Sequence, residues 1–405
     1  MIIRKIRRDE LKRCAKLSAL AFEFPMHGAK QTPEAFVREK TENPRSLEDV
    51  HWDSRWAAFE DDDATMMATF CVLPWRANFD GHEVVMGGIG GVASLPQYRR
   101  GGAIRRCFEA ALPDMYAQGM TLSYLYAFSN AFYRKFGYEL ACDGTRWRLR
   151  LEGLPAVEVG GSWRLLEPER PMLEALRAVD ALRERRYNCM VIAGDTEYLW
   201  TREDPFTARD YTYVYFDGAG RPSAYVTLQA QPGRELTCKR FVFNDREGFL
   251  GLTALLRRFA ADHSHATMTL PGDVDLRGLL PEFSFGNVER TTAQLGMARV
   301  IDVEKALRLA RMRGEGCLRV GVSDGQIHQN NGVFEVRFAP GTANAVRRTD
   351  GAVDVSVNIQ DFSRLLLGCC DAADPAWLPG VTLNCPPERA AQVFYRKPGF
   401  ITQYF

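Results

Sequence analysis

The sequence predicts an α/β protein of mixed sheets flanked by helices, with one strand-and-helix order used twice and a smaller α+β module after it. Three observations lead there. The chain has 405 residues, too many for one ordinary core, and the length suits two or three domains. Alternating stretches rich in β-branched and aromatic residues exchange with 3.6-period stretches as far as Leu151, and the same order restarts at Ser162. From about residue 298 the pattern changes again.

Composition narrows the class. A hydrophobic content of 46% with 25% charged residues is that of a folded globular protein. With 52 basic against 51 acidic residues the formal charge is +1, which gives no global field for nucleic acid or an anionic membrane. No apolar run approaches the roughly eighteen residues of a membrane span, and the first residues lack a signal-peptide core, so a cytoplasmic location is expected. The ten cysteines are scattered without a Cys-x-x-Cys spacing, which favours buried free thiols in a reducing compartment over disulfides. His263 and His265 have no partner at zinc spacing, and no metal is expected.

Ile2 and Ile3 open a short strand, and Asp9 can cap a helix with Leu11, Cys14, Ala15, Ser18 and Phe22 at helical spacing. A second helix is expected over 33–40. The period then becomes two. Residues 55–59 and 66–74 read as antiparallel strands across the acidic turn Glu60-Asp61-Asp62-Asp63, and Asp80-Gly81 turns the chain into a strand ending at Leu95. A charge run on a hairpin is ordinarily solvated.

The stretch Val92-Ala93-Ser94-Leu95-Pro96-Gln97-Tyr98-Arg99-Arg100-Gly101-Gly102-Ala103-Ile104 follows. It reads as a strand end, a short loop and the start of a helix with Ile104, Cys107, Phe108, Ala111 and Met115 on one face. First-turn amides of such a helix lack intrahelical acceptors, and its dipole favours an anion there. The glycines admit close approach, and Arg99 and Arg100 add positive charge. A diphosphate suits this place. Neither Gly-x-x-x-x-Gly-Lys-Ser/Thr nor Gly-x-Gly-x-x-Gly is present, which argues against a nucleoside triphosphate and a Rossmann dinucleotide.

Pro113 is expected to kink the next helix or end its regular bonding. Residues 120–128 read as a strand, 130–136 as a short helix ended by Gly137, and 138–151 as two strands around Cys142-Asp143-Gly144. The run Val-x-x-x-Pro-x-x-Arg-Arg-x-Gly-x-Ile resembles the acetyl-coenzyme A signature of the GNAT (general N-acetyltransferase) superfamily. Phe132-Tyr133-Arg134-Lys135-Phe136-Gly137-Tyr138 resembles that family's second signature, and the element order agrees over the first 150 residues. The resemblance implies a GNAT fold, acetyl-coenzyme A as co-substrate and an amine as acceptor. It puts Val92, Ala93 and Ser94 on the pantetheine arm, Arg99, Arg100, Gly101, Gly102, Ala103, Ile104 and Arg105 around the pyrophosphate, and Phe128 and Ser129 beside the cofactor. The family usually has a serine where this chain has Phe128. Transfer from a thioester to an amine needs a neutral amine, donors for the oxyanion and a proton for the departing thiolate. Tyr133, a phenol protonated at neutral pH, is the candidate acid.

The restart at Ser162 gives a strand, a charged helix over 171–187, strands at 211–217, 224–229 and 235–243, a helix at 246–262 and a strand at 266–270. This order is again GNAT-like. Its loop, Asn244-Asp245-Arg246-Glu247, has no glycine pair and two carboxylates that would repel diphosphate, so this copy is expected to be scaffold. In the last part, Asp354-x-Ser356-x-Asn358-Ile359 before Phe362-Ser363-x-Leu365-x-Leu367-Gly368 resembles the sterol carrier protein-like domain that closes the enhanced intracellular survival (Eis) acetyltransferases of bacteria.

The expected domains are therefore a catalytic acetyl-CoA-binding GNAT domain at 1–155, a degenerate GNAT domain at 156–297 and a sterol carrier protein-like domain at 298–405. The Eis resemblance further implies that the α-carboxylate of the last residue, Phe405, acts as general base beside Tyr133 as acid. It also implies aminoglycoside-like polyamines or lysine side chains as acceptors, and homohexamers. A terminal carboxylate of pKa near 3.5 is a weak base, and partial desolvation would raise it. Two rivals are a non-catalytic binder of coenzyme A or an apolar ligand with a vestigial acetyl site, and a Fem-type peptidyl transferase, which the Arg-Arg-Gly-Gly loop disfavours.

Overall fold

In the computed structural model the described residues are all except 171, 232, 285, 374–377, 402, 404 and 405. They form two compact units: residues 1–141 with 296–397, and residues 142–295 joined by a stretch beginning at Pro398.

The first unit starts with β1 (Ile2–Lys5), α1 (Leu11–Phe22), α2 (Pro33–Glu42), α3 (Leu47–Val50), β2 (Arg55–Phe59), β3 (Met66–Phe79) and β4 (His82–Ser94). It continues through α4 (Ala103–Ala117), β5 (Leu122–Leu125), α5 (Asn130–Arg134) and β6 (Glu139–Leu140). Leu11, Cys14 and Leu17, a turn apart on α1, bury against Phe36 of α2 and Phe59 of β2 on one face of the sheet. Cys107, Phe108, Ala111 and Met115 of α4 cover the other face. That two-sided burial explains why β3 is apolar almost throughout.

Three local expectations change or narrow. Of the two outcomes expected at Pro113, an end to the helix does not occur: α4 runs through it to Ala117, and Leu112 and Met115, both buried, hold the turn that proline weakens. The strand expected over 120–128 is confined to Leu122–Leu125; Ala127 and Phe128 lie in the loop, and Ser129 accepts from the Phe132 amide at 3.4 Å to cap α5. The acidic hairpin turn is engaged rather than simply solvated: Asp62 accepts from the Ala64 and Thr65 amides at 2.9 and 3.0 Å, and Asp63 pairs with Arg4 and Arg7 at 2.8 and 2.6 Å.

The next strand, β7 (Asp143–Arg150), belongs to the second unit. That unit adds β8 (Ser162–Leu165), α6 (Leu173–Arg186), α7 (Pro205–Ala208), β9 (Tyr211–Phe216), β10 (Pro222–Gln231), β11 (Glu235–Phe243), α8 (Arg246–Arg258), β12 (His265–Pro271) and β13 (Val288–Gln294). The chain then returns to the first unit as β14 (Met297–Val300). The first sheet has the order β1-β2-β3-β4-β5-β14-β6 and the second β8-β9-β10-β11-β12-β7-β13. The two orders are the same, with the strand between the fifth and the last exchanged: β14 lies between β5 and β6, and β7 between β12 and β13. A division at 155/156 thus follows the sequence modules and not the sheets. The physical reason is visible in β14, whose four residues are all buried, as an interior strand requires.

The remainder of the first unit comprises α9 (Val303–Leu309), β15 (Gly316–Ser323), β16 (Gly332–Phe338), β17 (Ala345–Thr349), β18 (Val355–Asn358), α10 (Ile359–Leu367) and β19 (Val381–Leu383). Its sheet has the order β17-β16-β15-β18-β19, with β15 and β18 parallel. Asn358 caps α10 by accepting from the Asp361 amide at 2.8 Å, and Gly368 ends it at φ 86°. This module is tied to the first sheet by a buried polar network. Arg299 of β14 pairs with Asp324 and donates to the Phe136 carbonyl, and both side chains are fully buried. Asn330 joins in, donating to Asp324 and to the Ile301 carbonyl at 2.9 Å.

Candidate active site

The sequence places Gly87, Gly88, Gly90 and Gly91 inside β4, and glycine within a strand often marks a bulge. The bulge is there. Opposite β3 the pairing runs Cys71 to Gly90 and then Thr69 to Ala93, so Phe70 faces two residues, and Gly91 takes φ 60°. Such an insertion bends the strand. On the other side, the parallel pairing of β4 with β5 ends at Ile89 and Leu125. The last part of β4 therefore leaves β5, and among the described residues no strand neighbours 90–94 on that edge.

Leu95 donates its amide to the Met67 carbonyl of β3 at 3.0 Å, so strand alternation turns the Ser94 amide to the open edge. The side chain of Val92 packs against the core beneath α4, whereas Ala93 is buried on the opposite face against α1 and α2. A ligand in the opening meets the backbone of 92–94 more than its side chains.

The loop after β4 leads directly to the N-terminus of α4. Arg100 takes φ 67°, and Gly102, the N-cap, φ 85°. A Cβ on Gly102 would have nothing within 4 Å, so space is free at the cap. No side chain caps the helix, and among the described residues the amides of Gly102, Ala103, Ile104 and Arg105 have no acceptor. Arg99, Arg100 and Arg105 are exposed and, among the described residues, carry no ion pair. Unpaired amides, a helix dipole and three cations with the cap left open fit a diphosphate.

Helix α8 of the second sheet provides the contrast. Its N-cap is Asp245, whose carboxylate accepts from the Gly248 amide at 2.7 Å and from the Ser223 hydroxyl at 3.3 Å. The chain's own anion fills the position that α4 leaves open.

Tyr133 is 2% exposed and sits in an aromatic box. The rings of Phe132, Phe128 and Phe108 lie 5.1, 5.4 and 6.0 Å from its own, and that of Tyr138 6.5 Å away. Burial, with the neighbouring Tyr138, pushes its phenol well above the usual tyrosine range. It remains a protonated donor across the neutral range. Ala103 and Tyr133 share one buried cluster, against which Val92 and Ile104 pack. Phe128 is 73% exposed with its ring T-shaped against that of Tyr133, and the Ser129 hydroxyl oxygen accepts from the Phe132 amide at the α5 cap. Phe405 lies outside the described residues.

The bulge at Gly91 was the feature missed by pattern reading, although Gly90-Gly91 signals it. The ten cysteines form no disulfide, and six of them are buried. Burial raises the thiols of Cys71 and Cys107 to about 12. Among the described residues no His, Cys, Asp and Glu group could hold a metal ion, and no helix is long and apolar enough to cross a membrane.

Residues 2–141 match the acetyltransferase (GNAT) domain family, and residues 303–401 the sterol carrier protein domain family. No curated protein is matched at the level of sequence. Several solved structures share the fold over the whole chain. A conserved protein of unknown function from Enterococcus faecalis V583, described as a probable N-acyltransferase, has 20% identity and a TM-score of 0.86, covering 100% of this chain and 99% of its own. A GCN5-related N-acetyltransferase from Anabaena variabilis has 17% identity and a TM-score of 0.84 with 100% of both chains covered. Eis1 from Mycobacterium abscessus has 20% identity and a TM-score of 0.78, also over 100% of both. The architecture is that of tandem GNAT sheets followed by a sterol carrier protein-like domain.

Proposed function

We propose that the chain is an N-acetyltransferase of the Eis type, moving acetyl from acetyl-coenzyme A to a primary amine on an aminoglycoside-like polyamine or a lysine side chain. The observation that supports this reading most is the open cap of α4, with its four unpaired amides beside the bulged end of β4. In this reading the amides of 102–105 with Arg99, Arg100 and Arg105 hold the pyrophosphate, and the backbone of Val92, Ala93 and Ser94 holds the pantetheine arm. The Ser94 amide, turned to the open edge, is a donor for the thioester carbonyl as negative charge develops on it. Ser129 offers its hydroxyl proton beside the cofactor, and Phe128 gives an apolar wall.

Tyr133 supplies the proton to the departing thiolate. Its raised pKa keeps the phenol protonated across the neutral range, so the donor is present when the thiolate departs. The carboxylate of Phe405 takes the proton from the substrate ammonium, directly or through a water, and the free amine then attacks the thioester. A cytoplasmic enzyme working as a homohexamer completes the proposal.

Thiol release from acetyl-coenzyme A over a panel of polyamines and lysine peptides tests it. Turnover is expected, with Tyr133→Phe and a single residue appended after Phe405 each lowering kcat by about 10²-fold or more while cofactor affinity stays unchanged. An extended variant with wild-type rates would remove the terminal carboxylate from the mechanism, and no turnover on any amine would favour a binding protein.

A further inference from the structure

In the second unit, β11 and β12 pair only as far as Cys238 and Met268. Beyond that point they diverge around a cavity of about 130 Å³. Phe241, Leu270 and Val274 are among its apolar walls, and α6 contributes Arg183 and Arg186, followed by Tyr187. Arg186 is accounted for, since Asp273 accepts from its guanidinium at 2.6 Å. Arg183 is not.

Arg183 is only 8% exposed, yet among the described residues its guanidinium has no ion pair and no hydrogen bond. The ring of Phe400, 5.4 Å from it, is a weaker neighbour. Asp180, almost one turn earlier on the same helix, is taken up by the hydroxyls of Tyr198 at 2.9 Å and Tyr225 at 2.9 and 3.1 Å. A cation withdrawn from water without an acceptor is unfavourable, and a guanidinium presents a planar fork matched to a carboxylate.

We propose that this cavity is a binding site for a small monocarboxylate with an apolar body, such as a short fatty acid or an aryl acid. The carboxylate lies on Arg183, and the body lies against Phe241, Leu270 and Val274. Asp180 offsets part of the charge of Arg183 through space, but the donors of the guanidinium fork are unfilled and match one carboxylate, and the volume lies well below the roughly 300 Å³ at which sites for drug-sized ligands begin. The site is independent of acetyl transfer: it uses residues of the second unit alone, whose helix α8 has filled its own anion position with Asp245.

Calorimetric titration of the full chain with benzoate and with hexanoate tests the proposal. Saturable binding at one site is expected, with benzamide and hexanol, which match in shape but lack the charge, about tenfold weaker or worse. Arg183→Gln is expected to weaken benzoate about tenfold or more, and Arg183→Lys to lie between it and the wild type. Absence of saturable benzoate binding, equal affinity for benzoate and benzamide, undiminished binding by Arg183→Gln, or inorganic phosphate competing as an equal would each overturn the assignment. Should the Arg183 variants not fold, the comparison of benzoate with benzamide on the unaltered chain decides.

Discussion

Two residues show how the same element of chemistry, a carboxylate among arginines, serves different ends. Glu335 of β16 is buried and pairs with Arg337 at 3.0 Å, Arg347 at 2.7 Å and Arg319 at 3.2 Å. Hydrogen bonds from these guanidinium groups, Arg337 first, hold its carboxyl at about 2. Because the folded value lies below the unfolded one, its stabilising contribution is complete above the usual glutamate range, about 4.3, and is lost as pH falls toward 2. The melting temperature of wild type should exceed that of Glu335→Gln at pH 7, and the gap should close between about pH 4 and pH 2. A gap that widens toward acid would contradict the assignment. Asp324, in contrast, faces the fully buried Arg299. Asp324→Asn leaves that cation with the Phe136 carbonyl as acceptor, and a loss of about 3–5 kcal/mol by denaturant unfolding is expected.

At the scale of elements, the two capped helices make opposite predictions. Gly102 holds φ 85° at the open cap of α4, so Gly102→Val costs about 1–2 kcal/mol in backbone strain and should weaken acetyl-coenzyme A by about tenfold or more, as measured by calorimetry. Asp245→Ala removes the cap of α8 and should cost about 1 kcal/mol of stability with acetyl-coenzyme A affinity unaltered. Both caps were legible in the sequence, since a glycine pair or an aspartate before an apolar 3.6-period run is a local signal. The bulge at Gly91 left a local trace that strand periodicity overrode. The span of β5 was overestimated because Ala127 and Phe128 are as apolar as the strand itself, and only the Ser129 cap tells where the chain has turned.

For the whole molecule, the order of modules could be read along the chain, but the membership of strands in sheets could not. Leu125 pairs with Met297 rather than with its neighbours in sequence, and nothing in the composition of Met297-Ala298-Arg299-Val300 states which sheet it enters. Pairing across such separations is chosen by the complementarity of faces that exist only once both sheets are assembled. The proposed role of Phe405 has the same character, because a chain end carries no periodicity and its use depends on where the rest of the fold delivers it.

The traded strands also set a timetable. While the chain is being synthesised, the leading sheet stays incomplete, with the edge of β5 bare, until β14 leaves the ribosome. At about 5–20 residues per second that wait is on the order of ten to thirty seconds. Throughout it an apolar strand edge is open to other nascent chains, so the yield of active protein should depend on chaperone supply and translation speed more than the stability of the finished fold would suggest.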